Sequence, residues 1–313
     1  MRNSWIDERE QADKTGAFTT AEGAANGLSI GRMRGSAFVA PHRGIRVPAE
    51  KYRSTDPRRL AEAYAKRMRD DEWFSHSTAA ALFGVPMPWS IESAPVLHTT
   101  TRGYDLRPRV AGVVAHRTMR PVRCVMVDGL RCSCAAETWC DLSAMLGIDD
   151  LVAAGDFFAT GNEPYSGEPP LASISELADA FAYRARMRLP GIPRLRVAAG
   201  LVRYGSLSPQ ETATRLVLVA GLPEPALNHR VYSPTGLLLG MVDLAYPEHR
   251  IAIEYEGDHH RDRGQFQRDL ARRARFEDAG WIVITVTAAD LRDGGEALIE
   301  RVRFRLAQRA TAR

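Results

Sequence analysis

Apolar residues in the last third of the chain recur with two distinct periods. A helical spacing runs through "SPQETATRLVLVAGL", where Ser208 supplies a cap, Pro209 sits in the first turn and Gly221 marks the end. The two-residue alternation of strands follows in "ALNHRVYS", "LLLGMVDLAY" and "RIAIEYEG", with a turn at Pro234-Thr235-Gly236 between the first two. A long amphipathic helix, "RGQFQRDLARRARFEDAG", a strand, "WIVITVT", and a basic terminal helix from Glu296 complete the order α-β-β-β-α-β-α.

The third of these strands carries the sharpest chemical signal. Ile251, Ile253 and Tyr255 make an apolar face, while Glu254 and Glu256 lie on the other and His259 and His260 follow at once. If the second and third strands form a hairpin with Glu248 and His249 at its tip, Pro247 faces Arg250, Ala245 faces Ala252 and Asp243 faces Glu254. Facing residues have Cβ atoms ~4.5–5.5 Å apart, so the two carboxylates repel unless something offsets their charge. Glu256 adds a third acid, and no basic residue faces them within the hairpin. Converging carboxylate oxygens are what a hard divalent cation requires. The plainer reading is a solvent-facing strand with scattered charges, followed by a polar loop holding both histidines.

Upstream, Thr19-x-x-Glu22 predicts a capping box opening a short helix that Asn26-Gly27 closes. Ser29 caps a second short helix bearing Arg32 and Arg34, and "SAFVAPHRGIRVPAE" supplies a β wing, so residues 1–50 outline a small winged helix or an ordinary helical hairpin. Residues 51–204 read as a mixed α/β region, with helices at "DPRRLAEAYAKRM", "SHSTAAALFG" (capped by Ser75), "AAETWCDLSAML" and "DDLVAAGDFFATG" and β-rich runs at "APVLHTTT", "RVAGVVAHRT" and "VRCVMVDG". "GNEPYSGEPP" reads as a loop, and a boundary is expected near Tyr204. His76, His98 and His116 are too far apart in sequence to suggest a cluster and read as surface or hydrogen-bonded residues. The fold class is α/β in the α+β sense: winged helix, mixed middle region, and an αβββαβ core in 205–313.

Composition narrows the class. Length 313, a 45% hydrophobic fraction and 26% charged residues predict a globular chain of two or three domains. Net charge +4 is compatible with a polyanion without requiring one. Lysine occurs only at Lys14, Lys51 and Lys66, so a lysine-dependent site is excluded from the last two thirds. The charged N-terminus does not read as a signal peptide and no run is long enough to span a membrane, so the cytoplasm is the expected location and no membrane partner is expected. Cys124, Cys132, Cys134 and Cys140 miss the usual zinc-knuckle spacing; buried thiols are the alternative to a zinc site.

The ordered acids resemble the PD-(D/E)xK nuclease superfamily, in the branch similar to very-short-patch repair endonucleases. The resemblance covers about 205–292 and rests on Asp243, Glu254-Tyr255-Glu256-Gly257, His260, Asp269 and Gly280-Trp281-Ile282-Val283, with Glu211 at the acid the superfamily often places on its first helix. It implies Mg²⁺-dependent hydrolysis of DNA phosphodiester bonds, with Mn²⁺ able to substitute, in DNA repair or phage defence. Asp243 and Glu254 would be metal ligands, and Glu211 would support a second ion. Glu256, at the lysine position, and His260 would be the candidate bases; Asp269 and Arg272 would contact nucleic acid. Residues ~15–200 resemble AbiEi-type antitoxins in Phe18–Ser29, apart from Gly23, and in His42-Arg43-Gly44-Ile45, where Arg46 replaces a tyrosine. That resemblance implies DNA binding through Arg32 and Arg34. The competing readings are a non-catalytic DNA-binding repressor and a protein–protein module in a defence system. DNA is the expected partner, with a second copy of the chain and, for an antitoxin, a toxin as further candidates.

Overall fold

A computed structural model of the chain describes residues 16–93, 96–103, 108–257 and 263–311, the side chains of 263–269 excepted. It has the α+β class expected. The chain divides into two compact units: residues up to Met145 with Asp179–Ile192, and Leu146–Ala178 with Pro193 onward.

The first unit opens with β1 (Phe18–Thr19), α1 (Thr20–Ala25), α2 (Ile30–Met33), β2 (Phe38–Val39) and β3 (Ile45–Pro48). The strands pair in the order β1-β3-β2. The capping box forms as expected: the Thr19 hydroxyl accepts the Glu22 N–H at 3.0 Å, and Glu22 Oε2 accepts the Thr19 N–H at 2.7 Å. Gly23 has a packing reason, since a Cβ there would stand 2.6 Å from Met33 Sδ and 2.7 Å from the Phe18 ring. Arg46 reaches back to donate to Met33 O at 2.6 Å, closing the end of α2.

The same unit continues through α3 (Pro57–Ala65), β4 (Glu72–Phe74), α4 (His76–Phe83), β5 (Leu97–Arg102), β6 (Val113–Thr118), β7 (Cys124–Val127), β8 (Leu130–Ser133) and α5 (Ala135–Leu142). Five strands form one mixed sheet in the order β6-β5-β4-β8-β7. Its core gathers Tyr64, Phe74, Leu82, Leu97 and Cys132.

The second unit contains α6 (Ile148–Thr160), α7 (Ile192–Leu201), α8 (Pro209–Val219), β9 (Ala226–Tyr232), β10 (Leu238–Tyr246), β11 (Ile251–Tyr255), α9 (Arg263–Asp278), β12 (Ile282–Val286) and α10 (Glu296–Thr311). From α8 on, this is the α-β-β-β-α-β-α order expected. The sheet runs β12-β11-β10-β9, with β9, β10 and β11 antiparallel and β12 parallel to β11. One sheet face packs Leu244, Tyr246, Ile251, Ile253 and Val286 against Leu218 of α8 and Leu298 and Val302 of α10. The other packs Val231, Val242, Ala245, Ala252 and Val283 against Phe276 of α9.

The unit begins earlier than the boundary expected near Tyr204 and includes the helices α6 and α7 upstream of it. An ion pair explains the extension. Arg215 on α8 is fully buried and donates to Asp156 Oδ2 of α6 at 2.9 Å and to Leu201 O of α7 at 2.8 Å. Asp156 also accepts from the Arg203 N–H at 2.7 Å and the Thr212 hydroxyl at 2.8 Å. Removing one partner of such a pair strands the other charge in a dry site, at a cost of ~3–5 kcal/mol. Arg215→Met is therefore expected to lower the urea midpoint strongly, and Arg215→Met with Asp156→Asn to recover part of the loss. Equal midpoints for the single and double variants would show that the pair's charge is unimportant.

Candidate active site

Strands β10 and β11 carry two of the sequence-predicted acids, Asp243 and Glu254, which share Arg272 as a neighbour. Leu244 pairs with Ile253, Ala245 with Ala252 and Tyr246 with Ile251, the register expected from the hairpin, with a single 3₁₀ turn over Pro247–His249 at its tip. The ladder stops at Leu244, and beyond it Asp243 Oδ2 accepts the Tyr255 N–H at 2.8 Å. Alternation along β10 breaks at the same place. Val242 and Ala245 belong to one apolar layer, Leu244 and Tyr246 to the other. Asn228, between the paired residues His229 and Leu227 of β9, has φ 44. A non-glycine residue in the left-handed region is uncommon inside a strand, and the Asn228 side chain hydrogen-bonds Glu211.

Glu211 comes to this carboxylate from the first turn of α8. Its backbone N–H donates to Ser208 Oγ at 3.1 Å and its Oε2 accepts the Leu207 N–H at 2.9 Å, so it also helps to cap the helix. Burial and the nearby Asp243 charge push its carboxyl up to about 7, against hydrogen bonds from Leu207, Ser208 and Asn228 that favour the charged form. Burial likewise raises Asp243, offset by the Tyr255 N–H and by Arg272.

Glu254 lies on the α9 side of the sheet, and there the sequence reading needs correction. The acids are not left uncompensated: Arg272 of α9 places its guanidinium 2.7 Å from Glu254 Oε1 and donates to Met241 O at 3.2 Å. A basic partner supplied by a later helix is invisible in the hairpin's own sequence. Arg272 thus bonds inside the site, its Cζ 5.7 Å from the Phe276 ring centroid. Glu256 follows the end of β11, its backbone N–H donating to Val286 O at 2.7 Å. His259 and His260 lie outside the described residues, as does the Asp269 side chain. Gly280, at φ 83, ends α9, and Trp281 packs with the Val242 layer, its ring 5.6 Å from that of His229.

The first unit holds a cluster that sequence spacing missed. His76 opens α4, His98 lies on β5 and His116 on β6; the parallel pairing of Thr100 with His116 and of His98 with Val114 puts both strand histidines on one face. Their candidate ligand nitrogens all lie within 4.8 Å of one another, the one set of three His, Cys, Asp or Glu ligands so arranged among the described residues. His98 Nδ1 and His116 Nε2 are 2.9 Å apart, and the His76 and His116 rings stack at 3.8 Å. The reading of three separate histidines is corrected by tertiary structure: strand pairing and the helix start join positions about twenty residues apart. Period-two placement of His98 with Thr100 and of Val114 with His116 was the available signal.

Arg32 and Arg34 are both exposed, on α2 and at its C-cap, in a helix of only four residues. Cys132 and Cys140 are buried thiols pushed up to about 12 by desolvation. Cys134 caps α5 instead of continuing β8, so it does not share a strand face with Cys132.

The Glu211 carboxyl has a testable consequence. A carboxyl raised from 4.5 to about 7 contributes stability that is complete below the unfolded value and is lost as pH rises through the folded one. Without divalent ions, the difference in melting temperature between wild type and Glu211→Gln is expected to shift against wild type from pH 4.5 to 7. A difference that stays constant with pH would assign the titration elsewhere.

No protein-family model and no solved structure matches the chain. It is similar to two uncharacterized proteins of Mycobacterium tuberculosis, from strains CDC 1551 and H37Rv, each 27% identical over 227 residues that cover 72% of this chain and 78% of the relative.

Proposed function

We propose that the second unit is a Mg²⁺-dependent endonuclease acting on DNA. The observation that carries this reading is the buried pair Glu211 and Asp243, with Glu211 driven to about 7 by burial and Asp243, beside Arg272, which acts on Asp243 and pairs with Glu254. The donor set fits Mg²⁺, which is commonly held by one or two carboxylates and takes its remaining oxygens from water and substrate. Asp243 with Glu211 or Glu254 would hold the ion. When bound, Mg²⁺ would polarise the scissile phosphate and acidify the attacking water.

The chain's own groups would do the rest. Glu256, in the position of the superfamily's lysine, would orient the attacking water and accept its proton. His260 is the second candidate base, since neutral imidazole accepts a proton near pH 7. Arg272 would exchange Glu254 for the anionic phosphate as the carboxylate turns to the cation, a guanidinium being suited to either partner. Asp269 would lie on the same helix as a hydrogen-bond partner. Arg32 and Arg34 would supply phosphate contacts from the first unit.

A second reading, a DNA-binding repressor that does not cut, is favoured by the Glu254–Arg272 pair at 2.7 Å, which neutralises one presumed ligand, and by the absence of lysine at Glu256. A repair or defence role, a homodimer and a partner toxin remain parts of these two proposals.

Supercoiled plasmid incubated with Mg²⁺, Mn²⁺ or EDTA separates them. Nicking is expected with either ion and not with EDTA. Asp243→Asn keeps an oxygen to accept the Tyr255 N–H but removes an anionic ligand, so cleavage is expected to fall by at least ~10²-fold. The variant is also expected to melt higher in EDTA, because repulsion of Glu211 is relieved. A wild type that never nicks, with Asp243→Asn melting lower, would leave the repressor reading. For DNA contact by the first unit, Arg32→Ala with Arg34→Ala is expected to reduce the salt slope of binding by up to ~2. An unchanged slope in a salt titration would remove these arginines from the interface.

A further inference from the structure

We infer that His76, His98 and His116 form a binding site for a borderline divalent transition metal, Zn²⁺ in the first instance, with a fourth coordination position open to an adjoining cavity. This site is separate from the carboxylates of the second unit and does not depend on the nuclease reading.

Donor chemistry is the first argument. Three imidazoles and no carboxylate in the set suit Zn²⁺ and its neighbours and disfavour Mg²⁺ or Ca²⁺. The candidate ligand nitrogens of all three rings lie within 4.8 Å of one another. His98 Nδ1 and His116 Nε2, now 2.9 Å apart, need to separate by only about half an ångström to sit ~2.0–2.1 Å from one tetrahedral ion.

The surroundings are built to hold His76. Ser75 is placed as the N-cap of α4, yet its side chain caps nothing there. Its Oγ instead stands 2.9 Å from His76 Nδ1 and accepts from the Thr100 hydroxyl at 2.8 Å. Asp141 Oδ2 lies 3.8 Å from the same nitrogen, and Asp141 is itself paired with the buried Arg184. Hydrogen bonds of this kind on one ring nitrogen orient a ligating histidine and leave its other nitrogen, here Nε2, for the ion. His76 also has φ 52, a conformation that costs energy for a residue with a Cβ and that concentrates at functional sites.

Room for a fourth ligand is present. A cavity of about 180 Å³ is lined by His76, His116, Thr100, Asp141, Arg120 and Arg184 among others. Three protein ligands with an open fourth position is the arrangement in which zinc also binds water or substrate; a closed structural site would take a fourth side chain.

Metal analysis of the full chain tests the inference. Protein stripped with chelator and re-equilibrated with Zn²⁺ alone is expected to retain one equivalent after desalting and to melt higher. Reconstitution with Co²⁺ is expected to give visible d–d bands of a tetrahedral or five-coordinate nitrogen–oxygen site, without a near-ultraviolet thiolate band. His98→Ala and His116→Ala are expected to lose the ion, while Asp243→Asn retains it. Failure of wild type to retain Zn²⁺, a thiolate band placing the metal on cysteine, or full retention by folded histidine variants would each overturn the assignment. Should the variants not fold, the wild-type stoichiometry and Co²⁺ spectrum decide it alone.

Discussion

The register between β10 and β11 is the constraint on which the second unit depends. Leu244 opposite Ile253 and Tyr246 opposite Ile251 put four large apolar side chains in the layer that packs on α8 and α10. A slip of one residue would turn that whole set to the other face, so burial specifies the pairing strongly. Where that ladder stops, Asp243 accepts the Tyr255 N–H. The chemistry proposed for this end of the sheet thus follows from apolar packing a few residues away.

Charge is handled differently in two places within that unit. Arg215 and Asp156 are almost wholly buried, and each is satisfied by further hydrogen bonds; their pairing ties α6, α7 and α8 together. Near Asp243 compensation is partial. Arg272 neutralises Glu254, whereas Glu211 is raised by burial and by Asp243. The first arrangement suits a scaffold. The second leaves carboxylate charge that a cation would relieve, and it is where a site strained by its own charges would be expected.

The first unit shows the same contrast between scaffold and site. Glu72 is buried but accepts from the Tyr64 hydroxyl at 2.8 Å, a satisfied polar pair within the core. The three histidines instead converge on one another: His98 and His116 stand nitrogen to nitrogen, and His76 stands beside a serine whose side chain caps nothing.

Local pattern alone determined the helix and strand order after residue 205, the capping box of Thr19 and Glu22 and the hairpin register. Each is set by residues a few positions apart, where periodicity and turn chemistry act directly. It also singled out Asp243 and Glu254, whereas Glu211 was marked only by the resemblance to the nuclease superfamily. Tertiary structure decided what that pattern could not: the Arg272 partner from α9, the kink at Asn228, the Arg215–Asp156 tie that extends the unit to α6, and the histidine cluster. Apart from the kink, these join residues from separate elements, and their proximity comes from packing between sheets and helices, which spacing within any one element does not set.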